Sequence, residues 1–257
     1  MSVKNNPWLV NYTNRPTAEV RLICFHYAGG SASAYRNWPK FLSANVDLLG
    51  VQLPGREGRY QEDFITNFDE LIGKVVVALE PVIDKPYVVF GHSMGSLMSF
   101  ECLRQIGSKG LPLPLFYIPA GRRSPQFPED EPPIAHLPEG DFLTALLKEY
   151  EDNLGDVLRN KDLREVFIPQ LRADFKLCEN YCYREKEKLN CPIYAFGGEQ
   201  EQKLGEKEIQ GWAAHTNCEF FAKRFPGDHF FIHKSESMVV REINRYLAMY
   251  SFDQVAS

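Results

Sequence analysis

Between Tyr87 and Phe100 the chain reads YVVFGHSMGSLMSF, one serine between two glycines where an apolar run gives way to a helical pattern. Tyr87 to Phe90 is the β-branched and aromatic run of a buried strand, while Met94, Leu97, Met98 and Leu103 carry helical spacing towards a stop at Gly107. A strand that becomes a helix within so few residues strains the backbone at the turn, and only glycine leaves room beside it. Gly91-His92-Ser93-Met94-Gly95 therefore fits G-x-S-x-G in its proper context. Such a turn projects the Ser93 hydroxyl above the C-terminal edge of a sheet and aims the backbone N–H of Met94, at a helix N-terminus, where an oxyanion would form.

The rest of the chain supplies a matching frame. Short apolar runs alternate with helical patterns, the signature of an α/β domain with a mostly parallel sheet. The strand candidates are Val20 to Phe25, Val46 to Leu53, Tyr87 to Phe90, Leu115 to Ile118, Ile193 to Phe196 and Cys218 to Phe221. Phe68, Leu71, Ile72, Val75, Val76, Leu79, Val82 and Ile83 recur at helical spacing, with Asn67 and Glu70 as a start signal and Pro86 as a stop. A second amphipathic helix runs through Val239, Ile243, Tyr246, Leu247 and Tyr250.

From Gln126 to about Asn190 no strand is expected: a proline-rich entry (Pro128, Pro132, Pro133, Pro138) leads into helical patterns. A connection of that length reads as an inserted helical lid, residues 126–190, in a core formed by residues 1–125 and 191–257. The stripe Phe142, Leu143, Leu146, Leu147 and Tyr150 and the run Phe167, Leu171, Phe175 and Leu177 are expected chiefly to pack the lid itself.

At 257 residues and 44% hydrophobic, the chain is long enough for one large core. A net charge of −5 argues against broad attraction to nucleic acid or to an anionic membrane. The six cysteines form no C-x-x-C pair and no dense framework, which suits free thiols in a reducing cytoplasm. Cys178 and Cys182 fall four apart in a helical-looking segment with no histidine pair nearby, a poor basis for a metal site. The start, MSVKNNPWLV, has neither a basic nor an apolar targeting region, and no apolar run approaches the ~18 residues of a membrane span. A soluble cytoplasmic protein is the expectation, with no cofactor.

A serine hydroxyl is a poor nucleophile until a histidine takes its proton, and around this turn the partners follow in the order serine, acid, histidine. Among the six histidines, His229 in FPGDHFF follows the last strand in a glycine-containing loop before the final helix, and is the expected base. His233 is the alternative. His92 adjoins the serine and is expected to face elsewhere. The second oxyanion donor belongs in the loop after the first predicted strand, FHYAGGSAS, where the backbone of Ala28 is the candidate and His26 and Tyr27 shape the wall.

These motifs together resemble a family. FHYAGGSASAYRNW, QLPGREGRYQE, FGHSMGSLMSFE, AGRRSP, FIPQLRADFKLCENY and FPGDHFFI, in this order along nearly the whole chain, are similar to the type II thioesterases of polyketide and nonribosomal peptide synthesis. The resemblance implies an α/β-hydrolase fold and hydrolysis of acyl thioesters held on the phosphopantetheine arm of an acyl or peptidyl carrier protein of a modular synthase, clearing stalled or wrong units. It places Ser93 on the nucleophile, His229 on the base and Ala28 with Met94 on the oxyanion hole.

The family's acid is an aspartate shortly after the strand that ends here in Ala195-Phe196-Gly197-Gly198, yet no aspartate occurs between that strand and Asp228. Counting three past Gly198 gives Glu201, with Glu199 second. Asp228 adjoins the histidine, and adjacent side chains on an extended segment diverge. Arg56, Arg59, Arg122 and Arg123 fall in loops expected near the mouth of the site, where they would meet an acidic carrier protein or its phosphate arm.

Overall fold

The computed structural model describes residues 6–129 and 131–250. Seven strands, β1 (Leu9–Asn11), β2 (Val20–Phe25), β3 (Val46–Val51), β4 (Tyr87–His92), β5 (Tyr117–Ala120), β6 (Ile193–Gly198) and β7 (Phe220–Phe225), form one sheet in the order β1-β3-β2-β4-β5-β6-β7. β1 runs antiparallel to β3, and every other pairing is parallel. The helices are α1 (Phe68–Leu79), α2 (Met94–Ser108), α3 (Glu139–Arg159), α4 (Lys161–Glu179), α5 (Glu206–Gln210), α6 (Phe231–Lys234) and α7 (Glu236–Leu247).

Both sheet faces are covered, which is why the central strands read as continuous apolar runs. Ile23, Phe25, Leu49, Val51 and Val89 face α1 and α2, whereas Leu22, Cys24, Leu48, Val88 and Phe90 face Trp38 and the α7 stripe of Val239, Val240, Ile243 and Tyr246. Successive residues of β2 thus serve opposite layers.

The predicted strands all form, with shifted ends. β4 continues to His92 because His92 still pairs with Ala120 of β5, and the last strand runs to Phe225 because its ladder with β6 continues to Gly198. β1 was not expected: three residues, of which only Leu9 is buried, carry too short a pattern to read. The Asn67 start holds, its side chain accepting the Glu70 N–H at 2.9 Å. The helix stops before Pro86, at Leu79, because Pro81 has no N–H to continue it.

Between β5 and β6 the described residues hold only helices, α3 and α4, and their connections. Phe142, Leu146, Ile168 and Leu171 form a small core of their own with Leu143, Leu147, Phe167 and Phe175 around it, while Leu177 joins the main core. α4 ends at Glu179, so Cys182 lies beyond it and the two thiols share no helix face.

Two features of this topology position the site. The chain runs from β2 outward to β3 and then returns to the other side of β2 for β4, so the order reverses between β2 and β4, where open α/β sheets leave a crevice at their carboxyl ends. The loops after β2, β4, β6 and β7 all open on that same edge.

Candidate active site

Ser93 occupies the turn between β4 and α2 with φ 54° and ψ −115°, a left-handed conformation that a residue with a side chain adopts only under strain. Its N–H donates to the Ala120 carbonyl of β5 at 2.8 Å. Below it, Ser96 Oγ lies 2.7 Å from the Gly91 carbonyl and accepts the Ala120 N–H at 3.1 Å, tying α2 to both strands.

The flanking glycines answer to measurable space. A Cβ on Gly95 would stand 2.2 Å from the Phe25 carbonyl oxygen, and one on Gly91 would stand 2.4 Å from both the Gly95 carbonyl oxygen and Ser99 Oγ. The end of β2 is therefore laid against the first turn of α2. That contact delivers the loop after β2 to the crevice beside Ser93. Met94, the first residue of α2, is fully buried, and its N–H precedes the point at which intrahelical acceptors begin.

In that loop the Tyr27 carbonyl accepts from His26 Nδ1 at 2.8 Å and from the Gly30 N–H at 3.0 Å. A carbonyl only accepts, so His26 carries its proton on Nδ1. Burial, and next the nearby Arg56 charge, hold its pKa down at about 4. Because a trans peptide is planar with its C=O and N–H opposed, fixing the Tyr27 carbonyl fixes the direction of the Ala28 N–H. Among the described residues that N–H makes no hydrogen bond.

On the far side of the sheet edge, β6 and β7 are neighbours with Gly198 opposite Phe225. The Glu199 N–H donates to the Phe225 carbonyl at 2.8 Å and the Gln200 N–H to the Gly227 carbonyl at 3.0 Å, zipping the two loops together past the strands. Glu201 and His229 then meet, His229 Nδ1 lying 2.6 Å from Glu201 Oε1. Glu201 is nearly buried, with 5% of its side chain exposed, against 21% for His229. A carboxylate this close to Nδ1 takes that proton as a hydrogen bond and leaves Nε2 as the free base.

Of the alternatives, Glu199 is exposed. Asp228 caps the following turn, accepting the Phe230 N–H at 2.9 Å and pairing with Lys234 at 2.6 Å. His233 is bonded to the Tyr27 hydroxyl at 2.9 Å, and burial lowers its pKa.

The structure thus brings Glu201 to His229 and the β2 loop to the start of α2. Among the described residues it forms no hydrogen bond between Ser93 Oγ and His229, a contact often long without substrate. Tyr150, at the kink of α3, places its ring 5.8 Å from that of His229.

His92 has a partner that the sequence did not suggest. Its Nε2 donates to the His229 carbonyl at 2.8 Å, and the centroids of the two rings are 5.0 Å apart. Fully buried, it is held neutral by burial and then by the neighbouring His229, its pKa pushed well below the ordinary histidine value. Adjacency to the serine in sequence was the only clue, since the 137-residue separation of the partners hides the contact.

Two of the four arginines, Arg56 and Arg59, differ from expectation. Arg56 and Arg59 are buried: Arg56 spans the Asp174 carboxylate through both Nη atoms at 2.8 Å, and Arg59 pairs with Glu62 at 2.6 Å and donates to the Gln52 carbonyl at 2.9 Å. Arg122 pairs with Glu129, and Arg123 donates to the Pro128 carbonyl at 2.7 Å. The loops that carry Arg56 and Arg59 turn them inward as internal struts.

A strained serine after the fourth strand, a histidine paired with a carboxylate across β6 and β7, and donor backbone at the switch point define a serine hydrolase type of site on an α/β-hydrolase fold. The thioesterase domain model matches residues 20–247, and the chain belongs to that family. It is 36% identical over 250 residues to the linear gramicidin dehydrogenase LgrE of Brevibacillus parabrevis, covering 96% of this chain and 95% of the relative. It is 34% identical over 244 residues to the gramicidin S biosynthesis protein GrsT of Aneurinibacillus migulanus, covering 95% of each. The structure of BorB, a type II thioesterase from the borrelidin biosynthetic cluster, superposes with a TM-score of 0.82 at 29% identity, covering 96% of this chain and 97% of that one. The chain is a thioester hydrolase of the type II thioesterase kind.

Proposed function

We propose that Ser93 is the nucleophile, His229 the general base, Glu201 the acid that orients it, and the N–H groups of Ala28 and Met94 the oxyanion hole. The substrate in this reading is an acyl group on the phosphopantetheine arm of an acyl or peptidyl carrier protein, and the protein edits a polyketide or nonribosomal peptide synthase in the cytoplasm. The observation that carries the assignment is the 2.6 Å contact of Glu201 with His229 on the edge where the strained Ser93 stands.

In the first half-reaction His229 Nε2 takes the Ser93 proton as Oγ attacks the thioester carbonyl, and the two N–H groups hold the developing oxyanion. Collapse expels the phosphopantetheine thiolate, which leaves with the proton held by His229. In the second half, water gives its proton to His229 and attacks the acyl-serine, and the same proton returns to Ser93 as the acid departs. Glu201 stabilises the imidazolium at both stages without itself taking the proton.

Residues 126–190 act in this reading as a lid, supported by the Tyr150 ring beside His229 and by the seating of α4 on the loop after β2. The dehydrogenase in one relative's name is said of that relative, whereas the thioesterase model matches residues 20–247 of this chain. The carrier-protein partner is supported by the borrelidin-cluster and gramicidin relatives, and the six unpaired cysteines suit a cytoplasmic setting.

The deciding experiment compares hydrolysis of acyl carrier protein, acyl-CoA and a nitrophenyl ester by the native protein and by Ser93→Ala, with a fluorophosphonate probe to report on Ser93. The reading expects preference for the carrier-bound thioester, labelling at Ser93 and loss of turnover in the variant. A clear preference for the oxygen ester overturns the thioesterase assignment. Unlabelled Ser93 with intact function in Ser93→Ala points instead to a binding protein on the same scaffold.

A further inference from the structure

The face of α4 that meets the core carries a polar pair. Asp174 is fully buried and Gln170, one turn before it, is 8% exposed. Both reach the loop after β2. Asp174 Oδ2 accepts the Gly29 N–H at 2.8 Å. Gln170 Nε2 donates to the Gly29 carbonyl at 2.7 Å and to the Gly30 carbonyl at 3.0 Å, and Arg56 donates to that same Gly30 carbonyl at 3.0 Å.

With the Gly30 N–H and His26 on the Tyr27 carbonyl, the polar backbone groups of Gly29 and Gly30 are all engaged. Among the described residues the neighbouring Ala28 N–H is left without an acceptor. A buried ion pair such as Arg56 with Asp174 costs desolvation that an apolar pair of the same volume avoids, so packing alone does not account for it. What the carboxylate supplies that a leucine would not is a directed acceptor for one backbone N–H.

We propose that Asp174 and Gln170 are positioning residues for oxyanion stabilisation: from α4 they hold the peptide groups of Gly29 and Gly30 so that the Ala28 N–H stays aimed into the crevice beside Ser93. The inference rests on the reading of Ala28 as an oxyanion donor. It makes the donor geometry depend on the seating of α4, a helix of the inserted segment, rather than on the sheet alone. An oxyanion donor acts in the transition state and not on bound substrate, so disturbing it lowers kcat and leaves KM nearly in place.

The test uses the full chain and two inhibitors, a trifluoromethyl ketone that forms a tetrahedral adduct with the serine and a non-hydrolysable thioether analogue of the acyl pantetheine. Gln170→Leu removes the two hydrogen bonds that Gln170 Nε2 gives the loop and leaves the buried ion pair, with the Arg56 bond to the Gly30 carbonyl, intact. Turnover normalised to fluorophosphonate-titrated sites is expected to fall about 10- to 100-fold, below the full loss of a donor. KM should stay within about twofold, and trifluoromethyl ketone affinity should fall in parallel with kcat while thioether affinity holds.

Asp174→Asn, whose amide oxygen still accepts the Gly29 N–H, should retain more activity than Asp174→Ala. Val166→Ala, at a position of α4 that is 68% exposed, should change none of these readouts. Labelling of the native protein at Ser93, with turnover lost in Ser93→Ala, establishes the underlying reading separately. With that in hand, unchanged kcat and ketone affinity in Gln170→Leu overturn this inference alone, and so does a parallel loss of affinity for both inhibitors.

Discussion

Glu201 Oε1 stands 2.6 Å from His229 Nδ1, although the two residues leave different strands and a glutamate side chain is one methylene longer than an aspartate's. The extra length is absorbed because the loops after β6 and β7 are zipped together before either side chain is reached. Glu199 donates its N–H to Phe225, and a Cβ on Gly198 would stand 2.4 Å from the Asp228 carbonyl oxygen. The histidine loop thus lies directly on the end of β6.

This geometry separates the two glutamates. Glu201→Gln offers Nδ1 the wrong hydrogen-bonding partner in one amide orientation and no charge for the imidazolium, so kcat should drop by about 10²–10⁴-fold. Glu199→Ala, at an exposed position, should stay within about twofold. Steady-state rates on one acyl thioester decide it, and a severe loss in Glu199→Ala with a mild one in Glu201→Gln would move the acid.

His92 offers a second prediction, because its only polar contact among the described residues is the bond to the His229 carbonyl. His92→Phe keeps the ring volume and strands that acceptor, at a cost of about 1–3 kcal/mol in stability. With the His229 carbonyl no longer bonded, kcat should fall about tenfold, as expected for a residue that positions the proposed base. Urea denaturation and kcat measured together test this. His92→Gln, whose amide N–H reaches a similar distance, should recover most of both.

The elbow and a helix position away from it yield opposite expectations at three positions. Gly95→Ala puts a methyl 2.2 Å from the Phe25 carbonyl oxygen, so it should cost at least about 3 kcal/mol and leave little folded protein. Gly73→Ala in α1 meets nothing within 4 Å and should gain about 0.5–1 kcal/mol. Ser93→Gly removes the side chain from a left-handed turn and should be about 1 kcal/mol more stable than Ser93→Ala. Denaturant midpoints of the four variants give the ranking. Equal stability of Ser93→Gly and Ser93→Ala would refute strain at Ser93.

What the sequence disclosed and what it hid divides along one physical line. The serine turn, the Asn67 cap and the alternating strands are local patterns, and the structure holds each of them. Counting three past Gly198, where the resembled family carries its acid, leads to Glu201, and the structure brings that side chain to His229 because the loop is only a few residues long. Arg56 was misplaced on the surface because its partner Asp174 lies 118 residues away, and a polar pair at helical spacing reads as a solvated face until the fold turns it inward. Gln170 was passed over for the same reason. β1 escaped because three residues with one buried side chain carry almost no periodicity.

The last prediction concerns pH and follows from histidines kept neutral in the core. Burial first, and then nearby positive charges, hold His26 and His215 at about 4, and burial with the His229 neighbour holds His92 well below the ordinary 6.5. In the unfolded chain all three protonate near 6.5, while the folded state does not follow until far lower pH. Their contribution is therefore intact above about pH 6.5 and is lost as pH falls from there towards 4, because the unfolded state binds the extra protons. At pH 5 each histidine accounts for a loss of at most about 2 kcal/mol. Glu242, held at about 2 by Arg245 and Lys223 against its burial, loses its contribution only below about 4.5, outside this window. Unfolding free energy measured between pH 7.5 and 5 should thus decline steeply. His26→Asn, which keeps an N–H for the Tyr27 carbonyl and has nothing to protonate, should decline with a slope lower by about one proton. An unchanged slope in that variant would mean that His26 is already charged in the folded protein, contrary to its burial.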